Sequence, residues 1–357
     1  MRMIPRPSSL PVIASLLLFG SFILPASATP AQTRDAFLNV LDRPRVPLAP
    51  ETSQPVISAD GRTAQATFSF AADAQQRVPG LVIKSSAAHS HPVDRRPVVI
   101  ALHGTSGNKE SQLSLLHELA HLGFVAVAID GRYHGARTQA GKGSAEYVAA
   151  ILRAYHESPN GEHPFFFDTA WDVMRLIDYL ETRDDVDPTR IGVIGFSKGG
   201  IETYLAAAAD PRITVAVPCI GVQSFGWAID HDGWQSRIST IQTAFDTAAT
   251  EQGIKTPGPD FVRKFYDRVA PGIYDRFDAP AMLPLIAPRP LLSINGEIDD
   301  RTPLPGLEIC ATAARAAYEA AGAPDNFVLH IQPGTGHKVT PEAMQLAKDW
   351  FVRWLKP

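Results

Sequence analysis

From residue 98 onward, short apolar runs alternate with longer stretches of helical period. Residues 98–102, 124–129, 191–194, 213–217, 291–294 and 327–331 are runs rich in Val and Ile, the pattern of strands buried on both faces of a parallel sheet. Between and after them, residues 111–122, 168–182, 199–209, 305–321 and 341–355 repeat apolar positions at helical spacing. Strands alternating with helices imply a three-layer α/β sandwich whose strands are joined by right-handed crossovers. Upstream, residues 63–70 partly alternate, with Phe68 and Phe70 on one face, and residues 80–84 supply a partner, so an antiparallel edge is expected there. Residues 29–60 are rich in Pro and polar residues, with one short helix expected around 36–41.

One stretch breaks the rhythm. Residues 221–288 separate two expected strands by far more than the usual short connection. They hold helical candidates at 235–250 and 260–269 and the aromatic residues Phe225, Trp227, Trp234 and Tyr266. The stretch reads as a helical cap inserted over one end of the sheet, with Trp227 and Trp234 turned partly toward substrate. The chain start has another character. Arg2 and Arg6 precede an apolar run at 10–24, and Ala26-Ser27-Ala28 gives the small-x-small pattern of a cleavage site. The expected organisation is a signal peptide at 1–28, an extension with edge strands at 29–95, and one α/β domain at 96–357. An uncleaved membrane anchor is the alternative, although the apolar run is short of the roughly 20 residues a span requires. Removal of the leader implies a secreted or periplasmic protein with no stable membrane anchor.

Composition adds little beyond exclusions. The formal net charge is −4, which gives no electrostatic reason for a nucleic-acid partner. Cys219 and Cys310 are too few for a disulfide framework; they are read as two buried thiols, with a single bridge as the alternative.

The chemistry concentrates at sharp turns after strands. Gly195-Phe196-Ser197-Lys198-Gly199 is G-x-S-x-G between an expected strand and an expected helix. That context places a nucleophilic serine on a strained turn, where bulky neighbours would clash and the helix N-terminus favours negative charge. A serine hydroxyl needs a base, and the partners should follow in the order Ser, acid, His. His337 lies in the loop after the last strand, at the carboxyl end of the sheet; His330 falls within that strand and reads as structural. The acid should follow the strand at 291–294, where Asp299 and Asp300 both stand. The backbone N–H groups of Lys198 and of Thr105, in the loop after the strand at 98–102, are the candidate oxyanion donors. His103 should orient that loop. The segment Asp130-Gly131-Arg132-Tyr133-His134-Gly135 is expected to line the same crevice, with His134 structural or facing substrate.

Five motifs appear in order: H-G-T at 103–105, D-G-R-x-H-G at 130–135, G-F-S-K-G at 195–199, N-G-E-x-D at 295–299 and G-x-G-H at 334–337. Together they resemble the α/β-hydrolase superfamily, in its dienelactone-hydrolase, acetyl-xylan-esterase and prolyl-oligopeptidase-like branch, over residues 96–357. The resemblance implies a carboxylic-ester hydrolase working without cofactor on a small-molecule or carbohydrate ester, with a peptidase of the prolyl-oligopeptidase type as the alternative. It also implies Asp299 as the acid, because that residue stands three after Gly296 and four before Pro303. A dienelactone hydrolase proper would carry cysteine where Ser197 stands, and the long insertion leaves the substrate open.

One motif points elsewhere. His117-Glu118-Leu119-Ala120-His121 is a literal H-E-x-x-H on an expected helix, a pattern that can bind zinc and activate water. Leu113, Leu116, Leu119 and Ala120 give that helix an apolar face, Phe124 replaces the Gly of the extended form, and spacing singles out no third ligand. A bound metal is therefore not expected.

Overall fold

A computed structural model describes residues 29–86, 95–141, 143–159 and 161–356; the leader expected at 1–28 lies outside them. Ten strands follow in chain order: β1 (Glu51–Thr52), β2 (Val56–Ile57), β3 (Thr63–Ala71), β4 (Arg77–Ser85), β5 (Arg96–Leu102), β6 (Val125–Ile129), β7 (Val186–Phe196), β8 (Ile213–Cys219), β9 (Leu291–Gly296) and β10 (Phe327–Gln332). They make one sheet in the order β1-β3-β4-β6-β5-β7-β8-β9-β10, with β2 also on β3. β3 pairs antiparallel with β4, and β4 with β6; from β6 to β10 every neighbour is parallel. The expected mostly parallel sheet with an antiparallel N-terminal edge is thus the fold. The strand after β5 goes to one side and β7 to the other, so the order reverses at β5 and a crevice opens at the carboxyl ends there.

Burial alternates through the central strands. Val98, Ile100 and Leu102 face one apolar layer, and Val99 and Ala101 the other. The first layer is built by the helices Phe167–Glu181, Lys198–Ala209 and Leu304–Ala320 together with the insertion. The second is built by Leu113–His121 and Pro341–Leu355, which bring Leu116, Leu119, Trp350 and Phe351. Cys219 and Cys310 are free and buried.

The structure also departs from the sequence pattern. The N-terminal helix runs over Pro30–Leu41, starting well before the residues expected. Its start is a capping box: the Thr29 hydroxyl accepts from Gln32 N–H, the Gln32 side chain accepts from Thr29 N–H, and Pro30 occupies the first turn. A helix at Ala145–Glu157 was not expected; it buries Tyr147, Ala150, Ile151, Ala154 and Tyr155. The helix expected at 235–250 is broken into Gln235–Ile238, a 3₁₀ turn at Ser239–Ile241, and Gln242–Glu251.

The extension is part of the main core. Phe37 is fully buried, with its ring centroid 5.1 Å from those of both Phe167 and Phe277. Phe37→Ala should therefore lower stability by about 3–5 kcal/mol, read as a shift in the urea midpoint. A change within about 0.5 kcal/mol would mean the helix adds nothing to the core.

Candidate active site

The serine turn is built by close backbone approaches. Ser197 has φ 55° and ψ −112°, a left-handed conformation rare outside glycine. A Cβ at Gly195 would lie 2.1 Å from the Gly199 carbonyl oxygen, and one at Gly199 would lie 2.4 Å from the Leu102 carbonyl oxygen. Only glycine lets β7 turn straight into the helix Lys198–Ala209 while β5 passes beside it. Ser197 N–H donates to the Cys219 carbonyl at 2.9 Å, which anchors the turn to β8.

The carboxyl ends of β9 and β10 bring two further side chains to this turn. His337 Nε2 is 2.8 Å from Ser197 Oγ, and His337 Nδ1 is 2.8 Å from Asp299 Oδ2. The two loops are locked together: Glu297 N–H donates to the Gln332 carbonyl and Ile298 N–H to the Thr335 carbonyl. A Cβ at Gly296 would lie 2.3 Å from the Thr335 carbonyl oxygen, so the loops meet only over a glycine. Asp299 is buried and also accepts from Arg301 N–H at 3.0 Å and Thr302 Oγ1 at 2.9 Å. Burial alone would raise its pKa, but the hydrogen bonds and the His337 imidazole hold the carboxyl below the usual range. Asp300, its neighbour, is exposed. His330 sits within β10 opposite Ile294 and takes no part.

Thr105 and Lys198 line a cavity of about 30 Å³ together with Ser197 and His337. Its other walls are Phe166, Ile201, Phe225, Ser236, Arg237, Thr240 and Arg301. Wider clefts of about 530 and 450 Å³ lie along the N-terminal segment, and neither is lined by a serine or cysteine. Several expectations are corrected here. His134 does not face the cavity: it is fully buried, donates from Nδ1 to the Arg132 carbonyl at 2.8 Å, and packs between His103 and Tyr147. No residue of 130–135 lines the cavity. Asp130 instead accepts from Lys109 N–H and Nζ and from Ala136 N–H, each at 2.8 Å. Arg132 is buried among Asp73, Glu162 and Asp172. Trp234 is packed into the insertion's own core against Phe245, and Trp227 stacks on His231; neither lines the cavity. The residues that do line it from the insertion, Phe225, Ser236, Arg237 and Thr240, carry no sequence motif, and only the length of the insertion hinted at them.

Behind the serine lies a dry electrostatic layer. His103 donates from Nδ1 to the Gly104 carbonyl at 2.8 Å and accepts Gly131 N–H on Nε2 at 3.0 Å, tying the β5 loop to the β6 loop. The Lys198 ammonium lies 2.5 Å from Glu202 Oε1, both side chains about 1% exposed. The H-E-x-x-H segment is engaged differently: His117 Nδ1 is 3.1 Å from Thr63 Oγ1, and Glu118 pairs with Lys348 at 2.7 Å. Among the described residues no third His, Cys, Asp or Glu joins His117 and His121 in a metal-sized group.

Comparison with known proteins places the chain. The model of the family described as "Glucuronyl esterase, fungi" matches residues 83–322. The chain belongs to the glucuronyl esterase family. The match takes in Ser197 and Asp299 and stops before His337. The Bacillus subtilis protein YtaP is 29% identical over 242 residues, 68% of this chain and 69% of that protein. A 4-O-methyl-glucuronoyl methylesterase of Hypocrea jecorina is 33% identical over 192 residues, 52% of this chain but only 39% of its own length. Among solved structures, the acetyl xylan esterase from Paenibacillus sp. R4 superposes with TM-score 0.64 at 19% identity, over 90% of this chain and 93% of that one. A glucuronoyl esterase from Solibacter usitatus gives TM-score 0.60 at 18% identity, over 89% and 91% of the two chains. These likenesses show the same α/β-hydrolase fold in a glucuronyl esterase family member, a family of carboxylic-ester hydrolases.

The buried imidazoles give this member a pH signature. Burial, then the Lys198 charge, push the His103 pKa from 6.5 down to about 3, and the same two causes push His134 down to about 2. Below pH 6.5 an unfolded chain binds protons on these rings that the folded chain refuses, so stability is lost as pH falls from 6.5 toward 3. Unfolding midpoints measured across pH 7 to 4 should decline, and His134→Gln should flatten part of that decline. An equal slope in the variant would remove His134 from the account.

Proposed function

We propose that the chain is an exported serine hydrolase that cleaves a carbohydrate ester through an acyl-enzyme on Ser197. The observation that carries this reading is the unbroken hydrogen-bonded row from Ser197 Oγ through His337 to Asp299, both links 2.8 Å, on a serine held in left-handed backbone. His337 Nε2 takes the Ser197 proton as Oγ attacks the ester carbonyl, and Asp299 fixes the ring with Nδ1–H toward the carboxylate. The carbonyl oxygen becomes an oxyanion between the backbone N–H groups of Thr105 and Lys198. Collapse breaks the ester C–O bond, His337 delivers its proton to the departing alcohol, and the acyl group stays on Ser197. Water deprotonated by the same imidazole then attacks the acyl-enzyme, the bond to Ser197 Oγ breaks, His337 returns the proton to Oγ, and the acid leaves. The names of the relatives support acetylated xylan or glucuronate esters as the substrate class. The leader pattern at 1–28 supports export, and among the described residues no helix is long and apolar enough to cross a membrane.

Turnover of p-nitrophenyl acetate, acetylated xylo-oligosaccharides and methyl glucuronate esters tests the assignment. Ser197→Ala should abolish hydrolysis of whichever ester is turned over. Asp299→Asn should reduce kcat by up to about 10⁴-fold, while Asp300→Asn changes it far less. The reverse ranking in folded variants would make Asp300 the acid. Hydrolysis should also persist after EDTA dialysis. Parallel loss of zinc and activity would instead move the chemistry to His117 and His121.

A further inference from the structure

We propose that Phe166 sets the acyl specificity of the site, and that its ester carries a short alkanoyl group such as acetyl. Any sugar of the substrate then stands on the alcohol side. This rests on the ester reading of the site and names the acyl half of its substrate. Of the residues lining the cavity, two are non-glycines in left-handed backbone: Ser197 and Phe166. For a bulky residue that conformation is an outlier, and such strain persists only where the surroundings impose it. Phe166 has φ 76° and ψ −45° at the N-cap of the helix Phe167–Glu181, and its side chain makes no capping hydrogen bond. Asn or Gly would suit both the backbone and the cap, so the local rules give no reason for a phenylalanine.

The cavity gives one. The neighbouring rings turn into the core: Phe165 stacks on Tyr266 at 6.0 Å, and Phe167 meets Phe37 edge-on at 5.1 Å. Between them the chain is pinned, Phe166 N–H donating to the Pro164 carbonyl at 2.9 Å and its carbonyl accepting from Ala170 N–H at 3.1 Å. The left-handed turn brings Phe166 to the cavity instead, where its ring stands edge-to-face with that of Phe225 at 6.1 Å. Ile201, one turn along the helix that begins beside Ser197, completes the apolar lining. These three buried side chains offer a substrate no hydrogen bond. His337 Nε2 meets Ser197 Oγ and hands its proton to the departing alcohol, so the alcohol leaves on the imidazole side and the acyl group falls to the apolar wall. A methyl group gains by burial there. A glucuronoyl group would press hydroxyls against rings that cannot bond them, and each would cost desolvation. A longer alkyl chain meets the Phe166 ring.

Two substrate series separate the acyl side from the alcohol side: p-nitrophenyl acetate, butyrate and hexanoate, and the acetate esters of p-nitrophenol, methanol and xylobiose. The wild type should favour p-nitrophenyl acetate over the hexanoate by about 10- to 100-fold in kcat/KM. It should also favour acetylated xylobiose over methyl glucuronate. Phe166→Asn tolerates the left-handed backbone and can cap the helix. That variant should bring the acetate-to-hexanoate ratio toward one and leave the ratios within the alcohol series unchanged. A merely structural loss would instead scale every substrate together and keep the acyl ratio. Phe166→Gly serves if the asparagine variant fails to fold, and the wild-type ratios decide without either variant. The proposal is overturned if the wild type shows no preference for acetate, if it prefers methyl glucuronate, if a folded variant keeps the acyl ratio, or if the alcohol ratios move in its place. Loss of the acyl preference in an active enzyme sinks the acyl assignment alone. No turnover of any of these esters sinks the ester reading, and the acyl assignment with it.

Discussion

Everything at the site hangs on one strained residue. A non-glycine in left-handed backbone costs of order 1–3 kcal/mol, and it persists only where the surroundings over-determine it. At Ser197 they do. Gly195, Gly199, Gly200 and Gly221 let β5, β7, β8 and the following helix close to distances at which any Cβ would overlap backbone. The strain lifts the Ser197 hydroxyl out of the sheet edge toward His337 and sets it at a helix N-terminus, where unsatisfied N–H groups favour a developing negative charge.

The loops around that serine are held by charge buried away from water. Lys109 is tied to Asp130, Arg132 to Asp73, Glu162 and Asp172, and Lys198 to Glu202. Such pairs give little net stability over an apolar core, because desolvation offsets their attraction. Their effect is positional: losing either partner strands the other, so each loop has one arrangement that satisfies its charges. His103 belongs to this layer, since its neutral ring bridges the β5 and β6 loops by one donated and one accepted hydrogen bond. The groups that would touch an ester are thus fixed before it arrives, as electrostatic stabilisation of an oxyanion requires.

The insertion works by a different logic. Its helices bury Phe245, Phe261, Phe265 and Tyr266 among themselves and against the helix Ala145–Glu157, and only a few residues turn back over the serine. Those few wall the cavity beside Ser197: Phe225 supplies an apolar face, Ser236 and Thr240 hydroxyls, and Arg237 a charge. The Ser197–His337–Asp299 row thus comes from strand ends of the sheet, whereas the opposite wall of the cavity comes from the insertion.

The parallel strands, the crossover helices and the order of serine, acid and histidine are local properties of the chain. Each is written in a periodicity of two or 3.6 residues, or in a turn motif whose glycines admit one conformation. They could therefore be read one segment at a time, whereas the choice of Asp299 over Asp300 rested on the resemblance to the α/β-hydrolase branch. What the sequence left open depended on neighbours distant along the chain. His134 follows a strand just as a crevice residue would, yet Tyr147 and His103 seal it in, and Tyr147 lies on a helix the pattern did not reveal. Trp227 and Trp234 carry the same apolar surface whether it faces substrate or protein; packing took Trp234 into the insertion's core and left Trp227 half-buried against His231. Arg237 carries no motif either: its place in the cavity wall depends on the insertion folding back over Ser197, which no local pattern encodes.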